Sequence, residues 1–164
     1  MFPEDIQALA EAVIGAATAR GLTVATAESC TGGLVAAALT AVPGSSAVVD
    51  RGFVTYSNAA KTQMLGVPAE LIDQNGAVSE PVARAMAAGA RDRAGVDLAV
   101  SITGIAGPGG GSADKPVGLV HFGCASPQGV AHAVHRFGDL GRDAVRLASV
   151  RVALKLLLDA AGAA

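Results

Sequence analysis

Ser29 sits in the string Glu28-Ser29-Cys30-Thr31-Gly32-Gly33, where a short apolar run gives way to a helical pattern. A helix start leaves backbone N–H groups unpaired, and adjacent glycines let an anion approach the main chain closely. A hydroxyl at a strand tip beside such donors has what an acyl-transfer nucleophile needs: exposure, and stabilisation for an oxyanion. The same string suits plain helix capping by Ser29 and Thr31, and its spacing fits neither the phosphate-binding P-loop nor the G-x-S-x-G elbow. A second stretch, Ser101-Ile102-Thr103-Gly104-Ile105-Ala106-Gly107-Pro108-Gly109-Gly110-Gly111-Ser112, is crowded with glycines. Its successive N–H groups can form an anion-holding nest, and Lys115 lies just beyond. It reads equally as a surface loop.

A hydroxyl nucleophile needs a base. His132 and His135 stand three apart on an expected strand, so they point to opposite faces, and His121 stands alone. All three are assigned to solvated or satisfied strand positions, and no His/Asp/Glu cluster has the spacing of metal ligands. Lys61 follows Tyr56-Ser57-Asn58 on a short, charge-poor helical stretch. Burial drives a lysine toward neutrality, and a neutral amine can deprotonate serine. On position alone a solvated surface lysine is the alternative. Cys30 and Cys124 form no C-x-x-C pair and read as reduced, partly buried thiols. Cys30 is the rival nucleophile, but neighbours on a strand tip diverge, so only one of Ser29 and Cys30 can face the site.

The elements that must position these residues are legible as alternating periods. A helix is expected from about Ile6 to Arg20-Gly21, then a strand over Leu22–Ala27 and a helix over Leu34–Val42. Ala47–Tyr56 reads as a strand with Gly52 as a bulge or close-approach point. Helical stretches follow at Ala59–Leu65, Ala69–Gln74 and, opened by Ser79-Glu80-Pro81, on to about Ala94. Val96–Thr103 reads as a buried strand, and Val117–Ala125 and Val130–Phe137 as a hairpin about Ser126-Pro127-Gln128-Gly129. Asp139 is placed as the cap of a final helix that carries Val145, Ala148, Val152 and Leu156 on one stripe. The fold expected is an α/β/α sandwich: one three-layer domain over residues 1–164, with a mixed, mostly parallel central sheet and a C-terminal hairpin followed by a long helix.

Composition narrows the function classes. The 164 residues are 51% hydrophobic, 16% charged and 3% aromatic, with 21 Gly and no Trp. Charged residues usually make up about 25% of a globular domain, so the core must be built from small aliphatic groups. Disorder is excluded by that hydrophobicity. Every apolar run is broken before the ~18 residues a bilayer span needs, so no membrane association is expected. A net charge of −2, mixed signs and scarce aromatics speak against nucleic-acid binding. The start, Met1-Phe2-Pro3-Glu4-Asp5, lacks a secretory layout, which makes a cytoplasmic location the expectation. Weak surface charge makes a homo-oligomer, a dimer, plausible.

Ala27–Gly33, Arg51–Asn58 with Lys61, Gly76–Glu80, Ser101–Pro108 and Lys115–Gly118 form a series of strings in fixed order. Together they resemble the CinA carboxy-terminal-domain family, from roughly Ile6 to Leu158. That resemblance implies hydrolysis of the carboxamide of nicotinamide mononucleotide to nicotinic acid mononucleotide and ammonia, a step of pyridine-nucleotide salvage, with neither metal nor cofactor. It implies Ser29 as nucleophile and Lys61 as base, with Tyr56 assisting proton transfer or holding Lys61. Glu28, Cys30, Thr31, Gly32 and Gly33 are expected around the substrate, with N–H groups near Thr31–Gly33 holding the oxyanion. Thr103, Gly104 and Gly107 are expected, from loop chemistry, near the 5′-phosphate or ribose. The separate amino-terminal pyrophosphatase domain of many family members is not expected in a chain of this length. A non-catalytic nucleotide-binding or interaction module, linked to competence or DNA damage, is the alternative.

Overall fold

Alternating small and branched residues decide how this chain layers. The computed structural model describes residues 1–163. Its strands are β1 (Val24–Glu28), β2 (Val49–Val54), β3 (Leu98–Gly104), β4 (Leu119–Ser126) and β5 (Gly129–Arg136). They form one sheet in the order β2-β1-β3-β4-β5. β1 pairs parallel with β2 and β3, whereas β3, β4 and β5 pair antiparallel, so the parallel part occupies one half of a mixed sheet. Val24, Leu98, Val100 and Ile102 face one side and pack with helices α1 (Glu4–Arg20), α2 (Leu34–Thr40) and α6 (Arg142–Ala163). Ala25, Ala27 and Ala99 face the other, against α3 (Asn58–Leu65), α4 (Ala69–Asn75) and α5 (Glu80–Ala94). The expected three-layer sandwich is the fold observed.

The small-residue face has a purpose. A Cβ on Gly123 would stand 2.6 Å from the Ala83 carbonyl, so α5 lies against the sheet more closely than branched side chains would permit. Connectivity then defines a crevice. The chain leaves β1 through α2 on one face to reach β2, and leaves β2 through α3, α4 and α5 on the other face to reach β3. The carboxyl ends of β1 and β3 therefore flank a point where the winding reverses, which is where open α/β sheets bind ligands.

Several local expectations are corrected. The final helix begins at Arg142 after a left-handed Gly141, which leaves Asp139 outside its cap position. Of the expected stripe Val145 is buried and Ala148, Val152 and Leu156 are partly so. The face turned inward runs through Ser149, Val150, Ala153, Leu154 and Leu157, because α6 must cover α1 as well as β3 and β4. Ser79 precedes α5 as expected, but its hydroxyl donates to the Gly76 carbonyl rather than accepting from the helix. Gly52 is a close-approach point, since a Cβ there would meet Thr26 Oγ1 at 2.9 Å; the register shift between β1 and β2 lies one step earlier, between their pairings at Val49 and Arg51. His121 is not alone: its Nδ1 lies 2.9 Å from His132 Nε2 across the β4–β5 hairpin. Among the described residues no helix is long and apolar enough to cross a membrane.

Candidate active site

Ser29 follows the last residue of β1, and its amide donates to the Ile102 carbonyl of β3, which extends the ladder past the strand end. The chain then turns sharply: the Gly32 N–H donates to the Ser29 carbonyl at 3.0 Å. Gly32 and Gly33 both take positive φ, at 58° and 100°, so this turn into α2 requires residues without a Cβ. Lys61 reaches the same point from α3. That helix is opened by Ser57, whose hydroxyl accepts from the Ala60 amide, and closed by a left-handed Gly66. Lys61 Nζ lies 3.1 Å from Ser29 Oγ and donates to the Thr55 carbonyl at 2.9 Å.

Electrostatics favour the uncharged amine. Lys61 is 1% exposed, and no carboxylate lies within 4 Å of it among the described residues. Burial lowers its pKa from the usual 10.5, opposed only by the nearby Cys30 thiol. Cys30 itself is buried in the α1–α2–α6 core, and loss of solvent pushes its thiol up to about 12. A thiol that stays protonated is a poor nucleophile. Lys61 Nζ thus lies within hydrogen-bonding reach of Ser29 Oγ, and no such contact joins it to the Cys30 thiol among the described residues.

The expected neighbours separate into those that line the crevice and those that hold it. A cavity of about 260 Å³ opens over Ser29, Cys30, Tyr56 and the loop from Gly104 to Gly110. Gly104 and Gly107 are part of that lining. Thr103 is not: it is buried, and its hydroxyl donates to the Ala77 carbonyl. Glu28 is not either. Its fully buried carboxylate accepts from the Val35 and Ala36 amides at 2.9 and 3.0 Å and from Thr26 Oγ1, so it anchors the start of α2. Thr31 is buried, and its hydroxyl has no partner among the described residues. Of the amides expected for the oxyanion, Gly32's closes the turn, which leaves those of Thr31 and Gly33 without an acceptor among the described residues. Tyr56 does not hold Lys61; the Thr55 carbonyl does. The Tyr56 hydroxyl instead accepts from Arg142 Nη2 at 2.7 Å, at the mouth.

Sequence reasoning missed two arginines. Arg142 lines the crevice and donates through Nη1 to the Gly107 carbonyl at 2.9 Å. Arg146, one turn later, donates to the Cys30 and Thr31 carbonyls. The available signal was their four-residue spacing, which puts both on one helix face. Lys115, offered as an extra charge for the loop, is committed to the Asn75 carbonyl at 2.5 Å. No group of three or more His, Cys, Asp or Glu among the described residues could hold a metal ion.

A three-layer α/β/α domain with a serine and a buried lysine meeting at a winding reversal is the class this geometry defines. The chain belongs to the CinA C-terminal domain family, whose model matches residues 6–161. It is 55% identical over 157 residues to a CinA-like protein of Anaeromyxobacter sp. (strain K), matching 96% of this chain but 38% of that one. The chain thus spans well under half the length of such relatives. It is also 52% identical over 157 residues to the nicotinamide-nucleotide amidohydrolase PncC of Escherichia coli (strain K12), covering 96% of this chain and 95% of that protein. Among solved structures, the competence/damage inducible protein CihA from Agrobacterium tumefaciens superposes with a TM-score of 0.95 at 57% identity, over 97% of each chain.

Proposed function

We propose that the chain is an amidohydrolase that converts nicotinamide mononucleotide to nicotinic acid mononucleotide and ammonia, with Ser29 as nucleophile and Lys61 as base. The observation that carries this reading is the 3.1 Å contact between Ser29 Oγ and a buried amine that has no carboxylate partner among the described residues. The substrate class is supported by the amidohydrolase of E. coli, which matches almost end to end. Lys61 takes the Ser29 proton as Oγ attacks the carboxamide carbon, and unpaired amides of the Thr31–Gly33 turn receive the oxyanion. Lys61 then returns the proton to the leaving nitrogen, and ammonia departs. Water, deprotonated by Lys61, cleaves the acyl-enzyme to the carboxylate. Arg142 and the free amides of Gly107, Gly109 and Gly110 form the anion-accepting wall for the phosphate, with Tyr56 beside them at the mouth.

Ammonia release from nicotinamide mononucleotide, measured with purified protein in EDTA, tests the proposal. Turnover is expected without added metal. Ser29→Ala and Lys61→Ala should each lower it by ~10³-fold or more, while Cys30→Ala should retain it. Tight binding of the nucleotide with no turnover would replace the enzyme with a binding module.

A further inference from the structure

Arg146 approaches the Ser29 turn from the side of α6. Its Nε donates to the Cys30 carbonyl at 3.1 Å and its Nη2 to the Thr31 carbonyl at 3.2 Å. Among the described residues no carboxylate lies within 4 Å of the half-buried guanidinium. Its charge is thus directed at two adjacent peptide groups, on contacts that span 116 and 115 positions of the chain. Each carbonyl shares its peptide with the N–H of the following residue. The Thr31 carbonyl is coupled to the Gly32 N–H, which closes the turn onto Ser29. The Cys30 carbonyl is coupled to the Thr31 N–H, which has no acceptor among the described residues.

We infer that Arg146 is a positioning residue: its guanidinium fixes and polarises the Cys30–Thr31 peptide, so that the Thr31 N–H is the oxyanion donor for the tetrahedral adduct formed at Ser29. A cation on a carbonyl draws electron density along the amide and strengthens the N–H as a donor, and hydrogen bonds in such a chain reinforce one another. Donors held rigid before charge develops are the ones that lower a barrier. Glu28 holds the far end of the same segment through the Val35 and Ala36 amides. The turn is gripped at both ends, by a cation on its carbonyls and an anion on the amides that follow. Lysine would not substitute fully, because a single ammonium lacks the planar fork that spans two carbonyls.

The inference rests on Ser29 being the nucleophile, and the test separates the two. An alkyl fluorophosphonate forms an Oγ–P bond at an activated serine and expels fluoride, the serine proton passing to the base; its P=O must be polarised for this to occur. Labelling of Ser29 is followed by intact mass, beside the affinity for nicotinic acid mononucleotide and the melting temperature. Arg146→Gln is expected to slow labelling by ~10-fold or more, a fraction of the loss seen when a whole oxyanion donor is removed, with product affinity held. Arg146→Lys should recover part of the rate. Labelling of Arg146→Gln at the wild-type rate, or labelling and product affinity falling in the same proportion, overturns the inference. If Arg146→Gln does not fold, Arg146→Lys carries the comparison: slower labelling at unchanged product affinity supports the role, and an unchanged rate overturns it. A wild-type protein that is not labelled at Ser29 overturns the nucleophile reading and this inference with it.

Discussion

In the proposed mechanism Lys61 has to be uncharged when Ser29 attacks, and burial shifts it in that direction. Because desolvation penalises the ammonium, its pKa in the folded protein lies below 10.5. The active form is the deprotonated one, so kcat/KM should climb as pH rises through that depressed value and level off above it. The rising limb should therefore sit on the acid side of a normal lysine titration. A profile that climbs only near 10.5 would remove the base from the proposal. Lys61→Arg offers a sharper contrast, since guanidinium keeps its proton at any pH the fold tolerates. That variant should lose ~10³-fold or more in kcat across the whole range, with no recovery at high pH. The Cys30 thiol, held up to about 12, contributes no such limb. At this scale much was legible in the sequence. Ser29, Lys61 and the two glycines lie in short strings whose residue types already suggest their chemistry. What Glu28, Tyr56 and Thr103 touch was not legible, because each contact reaches a residue on another segment.

Helix α3 delivers Lys61, and a glycine on its neighbour fixes where α3 lies. A Cβ on Gly89 of α5 would stand 1.9 Å from the carbonyl oxygen of Leu65, one turn beyond Lys61. Alanine in a helix interior normally gains about 1 kcal/mol over glycine. Here the clash is with main chain that cannot rotate aside, and overpacking of that kind costs about 1–3 kcal/mol. Gly89→Ala should therefore lower the melting temperature and, by displacing α3, reduce kcat more than it changes KM. Helix limits such as Ser57, Gly66, Pro81 and Gly95 could be read from residue type; the approach of α5 to α3 could not, since nothing near Gly89 in sequence announces it. The β4–β5 hairpin is the converse case. With Ser126 paired to Gly129, positions 121 and 132 fall on one face as diagonal neighbours, so the histidine contact was legible from register although their separation in sequence hid it. Burial lowers the pKa of both rings; the neighbouring His132 lowers His121 further, while Glu80 pulls His132 back. The unfolded chain then binds protons that the folded one resists, so stability is complete above pH 6.5 and declines as pH falls through the depressed values. Thermal unfolding at pH 7.5 and 5 should show that decline, and His132→Gln should show a smaller one.

Across the whole molecule, the crevice is assembled from the exits of β1 and β3 and the first turn of α6, regions that meet only because the winding reverses between them. The glycine loop's sequence promised an anion site but could not say which cation would join it; Lys115 was nearest along the chain, and the fold sends it to Asn75 instead. Arg142, 35 positions beyond Gly107 in the chain, takes the place beside Gly107 and Tyr56. A charge at the mouth rather than beside Ser29 should act on binding and not on bond-breaking. For nicotinamide mononucleotide, Arg142→Ala is expected to raise KM by ~10-fold, the scale of one charge-assisted hydrogen bond, while kcat stays within about threefold. Nicotinamide riboside presents the same carboxamide without the phosphate, and its kcat/KM should be indifferent to the substitution. Inorganic phosphate should compete with the nucleotide in the wild-type protein and much less in the variant. Equal losses on nucleotide and riboside would instead put Arg142 to work at the reacting centre, and the phosphate wall would have to be sought elsewhere along the glycine loop.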